Sequence, residues 1–387
     1  MTPIARDAAV ITFWGASFLV IYAYLIYPLL LWLVASWRPV RRPPAMVDSD
    51  LPSVSVLVAA HNEEAVIRAR LENMLALDYP ASKLELVVAS DGSRDRTNDI
   101  VREFAPRVGL IAFENNGGKA AALDASIPRL KGEVVVLSDA NTMMRTDAVR
   151  RLAEWFSDRE IGVVCGKLVL TDAETGANVD GLYWRYETFL KRCEAKLGGL
   201  LGANGAIYAI RKKLFPGIEP GTIVDDFVIP LVARIRSGCR IVYDEQAIAY
   251  EETPAEVGME FRRRTRIGAG DFQSLGFVWP LLNPAKGWVC FTFVSHKLLR
   301  WLCPFLLLAI AAANVVLVDR GFYGLCLLLQ CGLYGVALLG RFIAMQNGVG
   351  KIVRLATMFA AMNAALLVGF FKWATERQQG AWERTAR

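Results

Sequence analysis

Three short apolar runs each end on side chains that can do chemistry. Asn62 and Glu63 follow Val54–Ala60, Asp91 follows Leu84–Ala89, and Asp139 and Asn141 follow Val134–Leu137. Taken alone, each aspartate reads equally well as a helix cap or turn residue. Three acidic groups at successive run ends read differently, because carboxylates gathered on one edge are costly unless a cation or ligand compensates them. A zinc centre is excluded by supply: only two histidines exist, His61 and His296, and the seven cysteines form no CxxC pair.

The elements that must position these residues follow from spacing. Val54–Ala60 predicts a strand, and a helix with Val66, Leu71, Met74 and Leu75 at helical spacing follows it. Leu84–Ala89, Val108–Phe113 and Val134–Leu137 predict three more strands, alternating with helices over Thr97–Phe104 and Lys119–Ile127. Strands alternating with helices imply a mostly parallel sheet covered on both faces, an α/β fold. In such sheets ligands bind outside the carboxyl ends of the strands, where the polar residues lie. Further along, Ala206–Ile210 reads as a strand and Phe227–Arg236 as a helix with Asp225-Asp226 as an N-cap pair and Pro230 in its first turn. Trp184–Leu197 reads as a helix, either of the domain or lying on a membrane surface.

The chain has 387 residues, 54% of them hydrophobic and 21% charged, with a formal charge of +6. Its mean hydropathy of +0.32 is high for a soluble protein. The excess is concentrated in blocks. Val10–Trp37 is free of charge for about 28 residues, against the roughly 20 that a spanning helix needs. Arg38, Arg41 and Arg42 follow it, which by the positive-inside rule puts the next domain in the cytoplasm. Three more blocks, near Leu298–Val318, Phe322–Met345 and Leu355–Phe371, predict C-terminal spans, one of which could instead be interfacial. Phe277–Lys297, with Trp279, Pro280 and Trp288, reads as a membrane-surface segment. The expected organisation is residues 1–45 as an N-terminal span and basic linker, 46–276 as a cytoplasmic domain, and 277–387 as the interfacial segment, about three spans and a tail.

Seven motifs occur in a recognisable order: AAHNEE (59–64), SDGSRDRT (90–97), NNGGKAAAL (115–123), SDANT (138–142), GANGAIYAIRK (202–212), VDDFVIPL (224–231) and FRRRTRIGAG (261–270). Together they resemble the membrane-integrated family-2 glycosyltransferases, the group of cellulose, chitin-oligosaccharide, hyaluronan and poly-N-acetylglucosamine synthases. The resemblance implies a GT-A-like nucleotide-sugar-binding domain flanked by transmembrane helices, with Mg2+ or Mn2+ as cofactor. By position in these motifs, Asp91 would contact the nucleotide base, with His61, Asn62 and Glu63 lining the same pocket. Lys119 would sit near the diphosphate, a suitable partner for an ammonium. Asp139 and Asn141 would hold the metal, the amide standing where the family has a second carboxylate. Asp226 matches the catalytic base, with Asp225 as the runner-up. Arg263 and Arg266 share a helix face and would approach the diphosphate; the other reading is a basic stripe against anionic lipid. Gly202, Ala203 and Asn204 would line the acceptor, or else form a tight turn before a strand. Ile267 stands where processive members carry a tryptophan, which weighs against long-chain polymerisation. The tail Trp382-Glu383-Arg384-Thr385 resembles the ending of related enzymes.

The resemblance implies an inverting glycosyltransferase of an inner, cytoplasmic membrane. It would move one sugar from a nucleotide sugar, uridine-linked by family habit, to a lipid-linked or polysaccharide acceptor at the bilayer. The competing readings are a processive synthase that extrudes its polymer, aided by homo-oligomers or secretion partners, and a non-catalytic nucleotide-binding receptor or transporter. Apolar blocks nearly free of charge disfavour transport. Dispersed basic residues and a charge of only +6 disfavour nucleic acid as a partner.

Overall fold

A computed structural model of the chain describes residues 2–171, 181–252, 257–340 and 348–376. The tail motif at 382–385 lies outside them. The chain divides into two compact units. One takes in Met1–Leu30, Glu256–Phe272 and Phe293–Gln378, and the other Leu31–Ala255 and Gln273–Thr292.

The second unit holds one eight-stranded sheet. Its strands are β1 Val54–Ala60, β2 Leu84–Asp91, β3 Gly109–Phe113, β4 Val134–Asp139, β5 Thr142–Met144, β6 Ile161–Thr171, β7 Tyr208–Arg211 and β8 Arg240–Glu252, in the order β3-β2-β1-β4-β7-β6-β8-β5. The first four run parallel, as βαβ alternation requires. β7 then enters antiparallel between β4 and β6, and β5 is antiparallel to β8, so the sheet is mixed but mostly parallel.

β1 is buried at all seven positions, which is why it reads as a continuous apolar run rather than an alternating one. On one face Val54, Val56, Val58, Val134, Val136 and Ala209 pack with Ile67, Leu71 and Met74 of helix Ile67–Leu75 and with Val149 and Leu152 of helix Ala148–Glu154. Strand alternation turns Leu57, Leu137, Cys165 and Tyr208 to the other face. Each fully buried Leu or Ile of this core contributes roughly 2 kcal/mol relative to exposure.

Four helices are long and apolar enough to cross a membrane: Pro3–Ser36, Trp288–Val316, Gly321–Leu339 and Ile352–Ala374. The first begins earlier than its uncharged run and contains a wide π-helical turn, Tyr22–Ile26. The second starts at Trp288, so the second half of Phe277–Lys297 belongs to a long helix. Only the short turns Trp279–Leu282 and Pro284–Lys286 remain of the surface segment. The last helix, Gly348–Ala374, begins before the third C-terminal block expected from Leu355. Within the first unit, Tyr22 and Ser295 share a hydrogen bond of 2.9 Å. Phe272 packs against Trp301, Phe305, Phe370 and Trp373. A Cβ at Gly369 would lie 2.8 Å from the Ala269 nitrogen and from the Thr265 carbonyl oxygen, so glycine lets those two helices meet backbone to backbone.

Candidate active site

β1 lies between β2 and β4, where the order of the parallel strands reverses, and their carboxyl ends are in register. Ala59 pairs with Asp139 and Ala60 with Ser90, so Asp139 and Asp91 flank the end of β1 on one sheet edge. That is the topological switch point at which ligands bind.

Asp91 is buried, and both its carboxylate oxygens are used. Oδ1 accepts from the Gly117 N–H and Oδ2 from the Gly118 N–H, each at 2.8 Å. The turn they clamp needs glycine: Gly118 has φ +88° and Gly92 has φ +64°, and a Cβ at Gly92 would meet the Asn116 nitrogen at 2.5 Å. His61 Nδ1 donates to the Asp91 carbonyl at 2.6 Å, which fixes the tautomer. Its Nε2 then accepts from the Asn62 and Asn116 amides at 3.0 and 3.1 Å. Asn62 sits at φ +55°, a conformation held by its Oδ1 accepting from the Arg94 N–H at 2.8 Å. Glu63 donates its backbone N–H to Thr97 Oγ1 at 2.8 Å.

Lys119 begins the helix Lys119–Ser126 immediately after the clamped turn. Its Nζ donates to Asp139 Oδ1 at 2.7 Å and lies 3.5 Å from Asp225 Oδ2. Burial pulls its pKa down, but Asp139 and Asp225 outweigh that and hold it above its ordinary value. Asp225 responds in the opposite sense. Burial raises its carboxyl to about 6, with Asp226 and Asp139 adding to the rise and Lys119 opposing it.

Asp225 and Asp226 occupy the first turn of the helix Asp225–Ser237 rather than its cap. The cap position is Val224, which makes no side-chain capping bond, so the expected N-cap pair is not formed. Instead the helix start is wrapped by Gly202–Gly205. The Ala203 N–H donates to the Asp226 carbonyl and the Gly205 N–H to Asp226 Oδ2, both at 2.9 Å. Gly202, at φ +75°, is needed because a Cβ would sit 3.0 Å from the Phe227 ring. Asn204 donates to the Gly166 carbonyl at 2.8 Å and accepts from Lys191, so its amide supports the loop.

The expectation that the gathered acidic groups need a cation takes a corrected form. Among the described residues no group of three or more His, Cys, Asp or Glu could hold a metal. Two backbone N–H groups compensate Asp91, and Lys119 compensates Asp139 and Asp225. The oxygens that suit a divalent cation are those of Asp139, whose side chain is 31% exposed, and Asn141. Asn141 donates its amide N–H to Glu251 Oε1 at 3.0 Å, which turns its Oδ1 away from that partner. One carboxylate plus one amide oxygen is a donor set that fits a cation completing its shell with substrate phosphates and water.

Arg263 and Arg266 belong to the other unit, on the helix Val257–Val278, and both are exposed. Arg263 lies 3.5 Å from Glu260, which also pairs with Arg264 at 2.6 Å.

Sequence reasoning passed over two residues beneath the site. Arg70 is fully buried, donating to Asn73 Oδ1 at 2.6 Å and to Ser138 Oγ at 3.0 Å. Burial lowers its pKa to about 10, opposed by Asp139. Its signal was available, since an arginine stands three residues after Ile67 on the apolar stripe of its helix. The other residue is Tyr208, also fully buried. In AIYAIR it reads as an ordinary strand aromatic, and only the register shows what it faces.

Residues 55–215 match the family described as Glycosyl transferase family 2. The chain is 32% identical to the probable glycosyltransferase YdaM of Bacillus subtilis, over 57% of this chain and 56% of that protein. It is 25% identical to a beta-monoglucosyldiacylglycerol synthase of Nostoc, over 61% and 52% respectively. The chain thus spans about half the length of these curated relatives. Among solved structures, the mannosyltransferase PcManGT from Pyrobaculum calidifontis, in complex with GDP-Man and Mn2+, has the same fold. Its TM-score is 0.69 at 22% identity, covering 96% of this chain and 98% of that one.

Proposed function

Starting from a chain that carries a family 2 glycosyltransferase domain, we propose an inverting transfer of one sugar from a nucleotide sugar to an acceptor held at the membrane. The observation that carries this reading is the meeting of Lys119, Asp139 and Asp225, beside Asp226, at the carboxyl edge of the parallel strands.

In this reading the turn held by Asp91, with His61, Asn62 and Glu63, receives the nucleotide. Lys119 neutralises the diphosphate, and the exposed Arg263 and Arg266 offer guanidinium groups suited to phosphate oxygens. Asp139 and Asn141 hold Mg2+ or Mn2+, which when bound offsets charge on the leaving diphosphate. Asp226 accepts the proton of the acceptor hydroxyl as that oxygen bonds to the anomeric carbon. The bond from that carbon to the diphosphate oxygen breaks, its electron pair leaves with the diphosphate, and the configuration inverts. Gly202, Ala203 and Asn204 shape the acceptor side, where small residues and backbone let a sugar come close.

Four apolar helices support residence in a membrane, and Arg38, Arg41 and Arg42 after the first support a cytoplasmic catalytic domain at an inner membrane. A lipid-held acceptor with single addition is favoured over extrusion of a polymer. Ile267 stands where, by the resemblance, processive members carry a tryptophan, and a relative is a beta-monoglucosyldiacylglycerol synthase by name.

The test incubates membranes containing the full chain with Mn2+ and a panel of UDP- and GDP-sugars, and weighs the lipid-extractable products. The expected result is one discrete added hexose or N-acetylhexosamine, absent with Asp226→Asn. A ladder of polymer would replace the single-addition reading, and no sugar transfer from any donor would remove the enzymatic one.

A further inference from the structure

The buried polar atoms of the second unit that have no hydrogen-bond partner among the described residues include the hydroxyl of Tyr208 and Oδ2 of Asp225. One can donate and the other can only accept while ionised. Buried polar groups in folded proteins are nearly always paired, and these two are of opposite type.

The sheet register and the two ion pairs of Lys119 relate them to one sheet face. Tyr208 on β7 pairs with Leu137 on β4, so its side chain stands on the same sheet face as Leu137 and, two residues on, Asp139. A diagonal neighbour on an antiparallel pair lies about 7–8 Å away, within the length of a tyrosine. Asp139 and Asp225 both lie against the Lys119 ammonium, which brings Asp225 to this face as well. The electrostatics agree: after burial, Asp225, Asp226 and Asp139, in that order, raise the Tyr208 phenol well above its ordinary value. The phenol therefore stays protonated and remains a donor.

We propose that Tyr208 is a positioning residue, its hydroxyl donating to Asp225 Oδ2 in the working site and so orienting the Asp225-Asp226 turn against the acceptor. A core tyrosine serving packing alone would leave its hydroxyl at a wet edge or bonded to backbone. This one is 0% exposed in the middle of a sheet, and the groups acting on its charge are three site aspartates. The inference rests on the proposed transfer reaction only for its kinetic consequence; the pairing itself does not.

The experiment is a double-mutant cycle with Tyr208→Phe, Asp225→Asn and both changes together in the full chain. Thermal unfolding in detergent reads the pairing without any turnover, and donor-saturated kinetics read its effect. The expected kinetic result is that Tyr208→Phe lowers kcat about tenfold while leaving the donor KM within about twofold, as loss of a hydrogen bond that orients the acceptor side and not the donor should. Adding Asp225→Asn should then cost less than the two separate effects combined, in kcat and in unfolding midpoint. Effects that simply add in both measurements overturn the pairing. A Tyr208→Phe protein with unchanged kcat, or one that fails to fold, overturns the positioning role. A wild-type protein that transfers no sugar removes the proposed function, while the unfolding cycle still decides whether the two residues pair.

Discussion

Asp91 ends a strand and Asp225 begins a helix, both are buried, and the fold treats them in opposite ways. Asp91 has two backbone N–H donors at 2.8 Å, one for each oxygen. Asp225 has a buried oxygen without a hydrogen bond among the described residues and an ammonium 3.5 Å away. A carboxylate saturated by backbone donors is a fixture, and it makes the Gly117-Gly118 turn rigid before any ligand arrives. A carboxylate held mainly by burial and a distant cation is costly, and the rest of the fold must keep it in place. Binding surfaces gain from the first arrangement, because preorganisation lowers the entropy lost on association. Proton-handling surfaces need the second, because only an under-satisfied group has an adjustable proton affinity.

The largest break in this comparison is expected from Asp226→Asn. Transfer should fall by about 10²–10⁴-fold, the usual share of a general base, while nucleoside diphosphate binding by calorimetry stays within a few-fold. Loss of binding instead would mean that Asp226 supports the turn rather than the chemistry. Lys119→Met comes next, since it removes the shared cation of Asp139 and Asp225. Leaving a buried acid uncompensated costs on the order of 3 kcal/mol, visible as a lower unfolding midpoint together with weakened diphosphate binding. A protein of unchanged stability would show that the ion pair is of no consequence.

A smaller effect is expected from Asp91→Asn, which keeps one acceptor for two N–H groups. The loss is about 1–3 kcal/mol, confined to the turn and read as faster hydrogen exchange at Gly117 and Gly118. Unaltered protection there would mean that the turn does not depend on the carboxylate. The smallest is a pH effect. The Asp225 carboxyl is raised from 3.8 to about 6 in the folded chain. Between those values the unfolded chain has already released the proton that the folded one keeps. The wild type should therefore lose stability relative to Asp225→Asn as pH rises from about 4 to 6, with no further change above that. A stability difference that stays flat across the window would remove the distinction between the two aspartates.

The first half of the sheet was legible in the sequence, because each strand is a short apolar run and each helix between them has its own stripe. Val54–Ala60 has the same bounds in sequence and structure, and the helix that follows Gly117-Gly118 begins at Lys119 in both. β6 and β8, which complete the sheet, left a weaker trace. They pair with each other through register shifts near Ile161 and Cys165, and a further strand, β7, lies between them in the chain, so no simple strand–helix–strand alternation marks them. The reading of the acidic groups was right about place and incomplete about compensation, since backbone N–H donors cannot be seen in a sequence. Tyr208 and Arg70 were missed for a related reason. Each sits where a core residue belongs, and what its polar end meets, Ser138 for Arg70 and the site face for Tyr208, comes from elements distant in the chain.

The most direct measurement is an experimental structure of the Asp226→Asn chain bound to a nucleotide sugar and Mn2+. The account requires the diphosphate at Lys119 and Asp139, the nucleoside against the Asp91 turn, and the anomeric carbon facing residue 226 across the Gly202–Gly205 loop. A donor bound elsewhere, or a sugar turned away from residue 226 with Lys119 still bridging Asp139 and Asp225, would contradict it.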